Sequence, residues 1–140
     1  MTLKAETFSD LVLFDAATLA TTEILDHVAS SLPNEAVGLL WSDSTITPLV
    51  NQARSPTRFV VSPTLLAEAL STVDPYDKYL VAIYHSHPSG HLAISTDDFG
   101  TLQTQLDNNV LLPWIIVTPD GRMAAWGWNS DLCLQKLWST

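Results

Sequence analysis

The chain has 140 residues, 46% of them hydrophobic, which fits one domain, residues 1–140, with a packed core. The 6 basic residues against 15 acidic ones give a net charge of -9, which repels phosphate backbones and leaves no basic patch for nucleic acid. The longest apolar stretch, Val110 to Val117, is broken by Pro113 and far too short to span a bilayer, so no membrane association is expected. The start, Met1 to Glu6, has no apolar segment behind its positive charge, and a cytoplasmic protein is expected. A lone Cys133 excludes an intrachain disulfide and a multi-thiolate metal site; it reads as a small buried hydrophobe.

Taken in chain order, Leu11 to Phe14 is expected as a short apolar strand, followed by a helix capped by Asp15. Ile24, Leu25, Val28 and Leu32 fall on one face of that helix, and Pro33-Asn34 stops it. Ala36 to Trp41 and Ile46 to Val50 read as strands around the turn Ser42-Asp43-Ser44, with Arg58 to Val61 as a third strand of a meander. Ser62-Pro63 opens a helix through Leu66, Ala69, Leu70 and Val73 that ends at Asp74-Pro75. Leu80 to Tyr84 is a near-continuous apolar run, expected as a buried central strand that carries His85 and His87 at its C-terminal end. After a loop from Pro88 to Ile94, Ser95 stands at the N-terminus of a helix marked by Phe99, Leu102 and Leu106. Leu111 to Thr118 and Arg122 to Trp128 form a hairpin around Pro119-Asp120-Gly121, and Asp131 to Trp138 is expected as a short helix.

The spacing of the polar residues points to a metal. In a strand, residues two apart share a face, so His85 and His87 aim their rings at one point. Asp98, in the first turn of the next helix, folds back over the strand end. Two imidazoles and one carboxylate are the three protein ligands of a catalytic zinc site, with the fourth position left to water. Glu35 is the candidate proton shuttle. The plainer alternatives are a helix cap for Ser95 and Asp98, structural histidines, and a solvated strand-edge Glu35.

Pro33-Asn34-Glu35-Ala36-Val37-Gly38-Leu39-Leu40 followed by His85-Ser86-His87-Pro88-x6-Ser95-x2-Asp98 resembles the JAMM metalloprotease motif of the MPN/JAB domain. The resemblance covers nearly the whole chain. It implies a single cytidine-deaminase-like α/β domain, a mixed β-sheet flanked by helices. It also implies one Zn2+ held by His85, His87 and Asp98, Glu35 as general acid/base, and Ser95 supporting the oxyanion. The family often has Pro before that serine, where this chain has Ile94, a departure that bears on loop stiffness. The chain is similar to small prokaryotic or phage members. Those act on ubiquitin-like or sulfur-carrier β-grasp proteins at a Gly-Gly tail, while others belong to phage tail assembly.

The function this resemblance implies is a zinc-dependent (iso)peptidase that cleaves the amide bond after such a Gly-Gly tail by Glu35-assisted attack of water, and three competitors stand beside it. A nucleobase deaminase needs His-x-Glu and Pro-Cys-x-x-Cys ligands, which one cysteine cannot supply. A non-haem iron oxygenase shares the two-His-one-carboxylate set. A binding or assembly module would carry the same domain with idle or partner-activated chemistry. Among the neighbours, Asp97 is a candidate to orient a ligand histidine, His91 a candidate to orient its neighbours, and Arg54 and Arg58 candidates to meet acidic groups on a partner. Trp126 and Trp128 share one face of their strand as packing or contact surface.

Overall fold

The computed structural model describes residues 2–3, 8–108 and 111–140. Most of the Met1 to Glu6 start, and Val110 at the head of the longest apolar run, lie outside the described residues. The elements run β1 (Thr2–Leu3), α1 (Phe8–Leu19), α2 (Thr21–Ser31), β2 (Val37–Trp41), β3 (Ile46–Leu49), α3 (Pro63–Ser71) and β4 (Leu80–Ser86). They continue with α4 (Thr96–Asp107), β5 (Trp114–Val117), β6 (Met123–Trp128) and β7 (Leu134–Ser139). The strands form one mixed sheet in the order β1-β7-β6-β5-β4-β2-β3. Its parallel pair, β4 with β5, is joined through α4, as a parallel pair must be joined by a crossover.

Several expected elements form as read. The β2–β3 hairpin turns at Ser42-Asp43-Ser44, with Asp43 Oδ1 accepting from Thr45 N at 3.1 Å. Ser62 caps α3, its hydroxyl oxygen accepting from Leu65 N at 3.3 Å, with Pro63 at the first helical position.

Three segments differ from expectation. Leu11 to Phe14 lies inside α1 rather than in a strand, and Asp15 is an exposed residue of that helix rather than a cap. Leu13, Ala16, Ala17 and Ala20 are buried together on one face, and an apolar run this short reads alike in a strand and a buried helix. Arg58 to Val61 runs as irregular chain, so the meander stops at two strands and β2 takes β4 as its other neighbour. The Asn51 side chain, donating to Arg58 O and accepting from Val60 N, takes the bonds a neighbouring strand would have made. The Asp131 to Trp138 tail holds β7, not a helix. Asn129 Oδ1 accepts from Asp131 N and Cys133 N, and Leu132 adopts φ 59°, so the chain reverses and pairs with β6. Cys133 sits in that turn and is exposed, contrary to the expected buried position.

The period of β4 divides the molecule. Ala82 and Tyr84 face the apolar core built with Leu13, Ala17, Ile24 and Val28 of α1 and α2. His85 lies on the other side against Trp114, whose indole N–H donates to Gln105 of α4 at 3.0 Å. Tyr84 pairs in register with Gly38, and its hydroxyl meets His27 Nδ1 of α2 at 2.6 Å. The phenol passes over Gly38, where a Cβ would collide with the ring. Among the described residues, no helix is long and apolar enough to cross a membrane. Gly38→Ala is expected to cost about 1–3 kcal/mol of stability by overpacking, read as a lowered denaturant midpoint at unchanged slope. A parental midpoint would show that the Tyr84 ring swings aside freely.

Candidate metal centre

The end of β4 brings the sequence-predicted residues together. Glu35, His85, His87 and Asp98 are buried, and each offers a ligand atom within 4.8 Å of the others. Inside this group, His85 Nε2 and His87 Nε2 lie 3.0 Å apart. Asp98 Oδ2 is 3.2 Å from the first and 2.9 Å from the second.

Each group is aimed by a separate device. Asp98 is both cap partner and member of the triangle: Ser95 Oγ accepts from Asp98 N at 3.0 Å, and Asp98 Oδ2 accepts from Ser95 N at 3.2 Å. The same side chain thus makes the cap and faces both histidines. His87 N–H donates to Val117 O at 2.9 Å, and its Nδ1 lies 2.8 Å from His91 O, which places the proton on Nδ1 and the lone pair on Nε2. The loop supplying that carbonyl is clipped by the β5–β6 hairpin, where Arg122 Nη2 donates to Gly90 O at 2.8 Å and Trp126 Nε1 to Leu92 O at 3.2 Å. The His85 ring is flanked by Phe59 and Trp114, with centroids at 5.0 and 5.1 Å.

Glu35 precedes β2, and Ser86 ties the two strands beside it. Ala36 N–H donates to Ser86 Oγ at 2.8 Å, while Ser86 N–H donates to Ala36 O at 2.9 Å. Period two turns Ser86 away from the triangle between its two histidines, and that alternation was the available signal for its role. The His91 carbonyl, Asn51, Arg122 and Trp126 had no comparable signal. Asp97, a candidate to orient a histidine, is exposed, and its carbonyl accepts from Thr101 Oγ1 at 3.2 Å. The orienting place at His87 belongs to the His91 backbone. Arg54 and Arg58 are exposed.

Electrostatics test whether these residues suit a cation. Burial opposes charge on Asp98, but hydrogen bonds with His85 and His87 prevail and hold its carboxyl well below the ordinary range. Burial pulls the His87 imidazole down, yet the hydrogen bond and charge of Asp98 carry it above its ordinary value. Burial lowers His85 and pushes the Glu35 carboxyl up to about 7, the latter against the His87 charge. Glu35 Oε1 and His85 Nδ1 have no hydrogen-bond partner among the described residues. Protonating His87 relieves its contact with Asp98 but leaves two ring nitrogens facing at 3.0 Å and Glu35 Oε1 unpaired. A divalent cation satisfies all three atoms of the triangle at once, so the donor set fits a metal ion. A cleft of about 300 Å³ opens beside it, lined by Glu35, His87, Ser95, Thr57, Ser89 and Ala93 among others.

Asp98→Ala is expected to lower bound metal about 10-fold or more, measured by elemental analysis after dialysis. Full occupancy in that variant would remove Asp98 from the ligand set. The raised Glu35 carboxyl sets a pH dependence in metal-free protein. Between pH 4.5 and about 7 the folded chain holds a proton that the unfolded chain has released. That contribution to stability is complete below 4.5 and is lost as pH rises through about 7. Glu35→Gln is therefore expected to raise the melting temperature in chelator at about pH 8 and to leave it nearly unchanged at about pH 4.5. Equal shifts at both pH values would contradict a charged, buried Glu35.

Residues 19–129 match the family of prokaryotic homologs of the JAB domain. The chain is 32% identical, over 100 residues, to a probable TtuB-protein conjugate cleaving protease from Thermus thermophilus, covering 68% of this chain and 63% of that protein. It thus spans just under two thirds of that relative's length. The solution structure of protein DSY2949 from Desulfitobacterium hafniense superposes with a TM-score of 0.63 at 22% identity, over 84% of each chain, and so shares the fold. By the family match across most of its length, this chain belongs to the prokaryotic homologs of the JAB domain.

Proposed function

We propose that this chain is a zinc-dependent isopeptidase of the JAMM type that hydrolyses the amide bond after the Gly-Gly tail of a ubiquitin-like or sulfur-carrier protein. The observation that carries this is the buried, unpaired Glu35 Oε1 beside the triangle of His85, His87 and Asp98, at the edge of an open cleft. Two imidazoles and a carboxylate with an accessible side form the donor set of catalytic zinc. Bound there, zinc would bring the pKa of a water toward about 7 and polarise a carbonyl oxygen.

The chain's own residues do the rest. Glu35 takes a proton from the attacking water and passes it to the leaving nitrogen, standing beside the triangle with its Oε1 unpaired. Ser95 Oγ accepts the Asp98 amide, which leaves its O–H free to donate to the developing oxyanion. Thr57, Ser89 and Ala93 line the cleft beside the bulkier Pro56, His91 and Ile94, and its open side can admit a tail without side chains. The Thermus relative's action on TtuB-protein conjugates supports a sulfur-carrier substrate.

Zinc-loaded protein is expected to release the leaving protein from a Gly-Gly-linked sulfur-carrier fusion, and Glu35→Gln to lose about 10²–10⁴ in rate with zinc retained. Cleavage by Glu35→Gln at the parental rate would remove the shuttle. Tight binding of the fusion without cleavage by the loaded parent would make the domain a binding module.

A further inference from the structure

Between β3 and α3 the chain runs irregularly, and such a segment needs another source of hydrogen bonds for its partly buried backbone. The Gln52 N–H gives one to Val60 O at 2.8 Å, and the Asn51 side chain supplies four more. Its Oδ1 accepts from Ala53 N and Val60 N, each at 3.0 Å. Its Nδ2 donates to Arg58 O and Glu35 O, each at 3.1 Å. Two donors and two acceptor sites are the full capacity of a carboxamide, and a flipped amide would set donors against N–H groups and its oxygen against carbonyls.

Glu35 is held by this segment rather than by the sheet ladder. Its N–H donates to Ser55 O at 2.8 Å, its C=O accepts from Asn51, and the β2 pairing with β4 begins at Val37. The segment that Asn51 organises also carries Thr57, which lines the cleft, and Phe59, which packs on the His85 ring. Resting on the proton-transfer role given to Glu35 above, we propose that Asn51 is a positioning residue for hydrolysis, whose amide holds the Glu35 backbone and the Thr57 side of the cleft in one register. Asn51 is not itself catalytic; it acts through Glu35. A misplacement of about 1 Å at a reacting group costs about 10²-fold in rate, so a short backbone tether there has kinetic weight.

The test uses the full zinc-loaded chain, a Gly-Gly-linked fusion as probe, and two variants. Asn51→Asp keeps the acceptor for Ala53 and Val60, loses both donors, and turns a carboxylate oxygen toward the Glu35 and Arg58 carbonyls. Its kcat is expected to fall about 10–100-fold with KM within about 3-fold of parental. Zinc content stays parental and the Ala53 and Val60 amides stay protected from exchange. Asn51→Ala loses both sets: kcat falls as far, KM rises, and the Glu35, Ala53 and Val60 amides exchange about 10-fold faster or more. Parental kcat in Asn51→Asp overturns the proposal, as does a loss explained by missing zinc. If the parent cleaves no Gly-Gly-linked fusion, the isopeptidase function fails by itself. Amide exchange still decides the tether, because unchanged Glu35 exchange in Asn51→Ala overturns it without any substrate.

Discussion

His85 Nε2, His87 Nε2 and Asp98 Oδ2 crowd within 3.2 Å of one another in the protein interior, and burying three electron-rich atoms together is costly without a positive charge among them. Much of the surrounding structure keeps them there. β4 lies between β2 and β5, so the strand that carries both rings is bonded on each edge. The helix that carries the acid is locked to its own cap, and the loop between ring and acid is clipped from the β5–β6 hairpin. The same crowding depresses Asp98 and raises His87, and it lies within reach of a Glu35 carboxyl that burial pushes the other way. Perturbed titratable groups gathered beside a cleft are a mark of functional sites.

The part of this centre legible in the sequence is the part governed by a strict period. Two residues apart in a strand means one face, so His85 and His87 point together wherever the strand goes. Ser95-x2-Asp98 fits a capping box by spacing alone, and the helix that follows fixes where the acid stands. The remainder depends on contacts between distant or anonymous atoms. The His87 orienter is a backbone carbonyl, which any residue at position 91 would supply. Arg122 reaches Gly90 across 32 residues, and Asn51 reaches Glu35 across 16, with no local pattern announcing either.

The elements misread from sequence have a common physical cause. Leu11 to Phe14 and the tail from Asp131 are short stretches whose conformation is chosen by what they pack on rather than by propensity. Leu13, Ala16 and Ala17 of α1 are buried in the core, and the apolar run belongs to that helical face. In the tail, an asparagine-centred turn presents Leu137 and Trp138 to the core as a strand. Arg58 to Val61 shows the converse: residues apt for a strand stay irregular, with the Asn51 side chain bonded to Arg58 O and Val60 N and the Gln52 N–H to Val60 O.

The apolar core between α1, α2 and the sheet lies on the face of β4 that carries Ala82 and Tyr84, opposite the His85 ring. Tyr84, reaching across Gly38 to His27, fastens β4 to that core on the side facing away from the acid and rings. The burial contributed by α1 and α2 therefore needs no ion to form, unlike that of a zinc finger, whose chain collapses only around its metal.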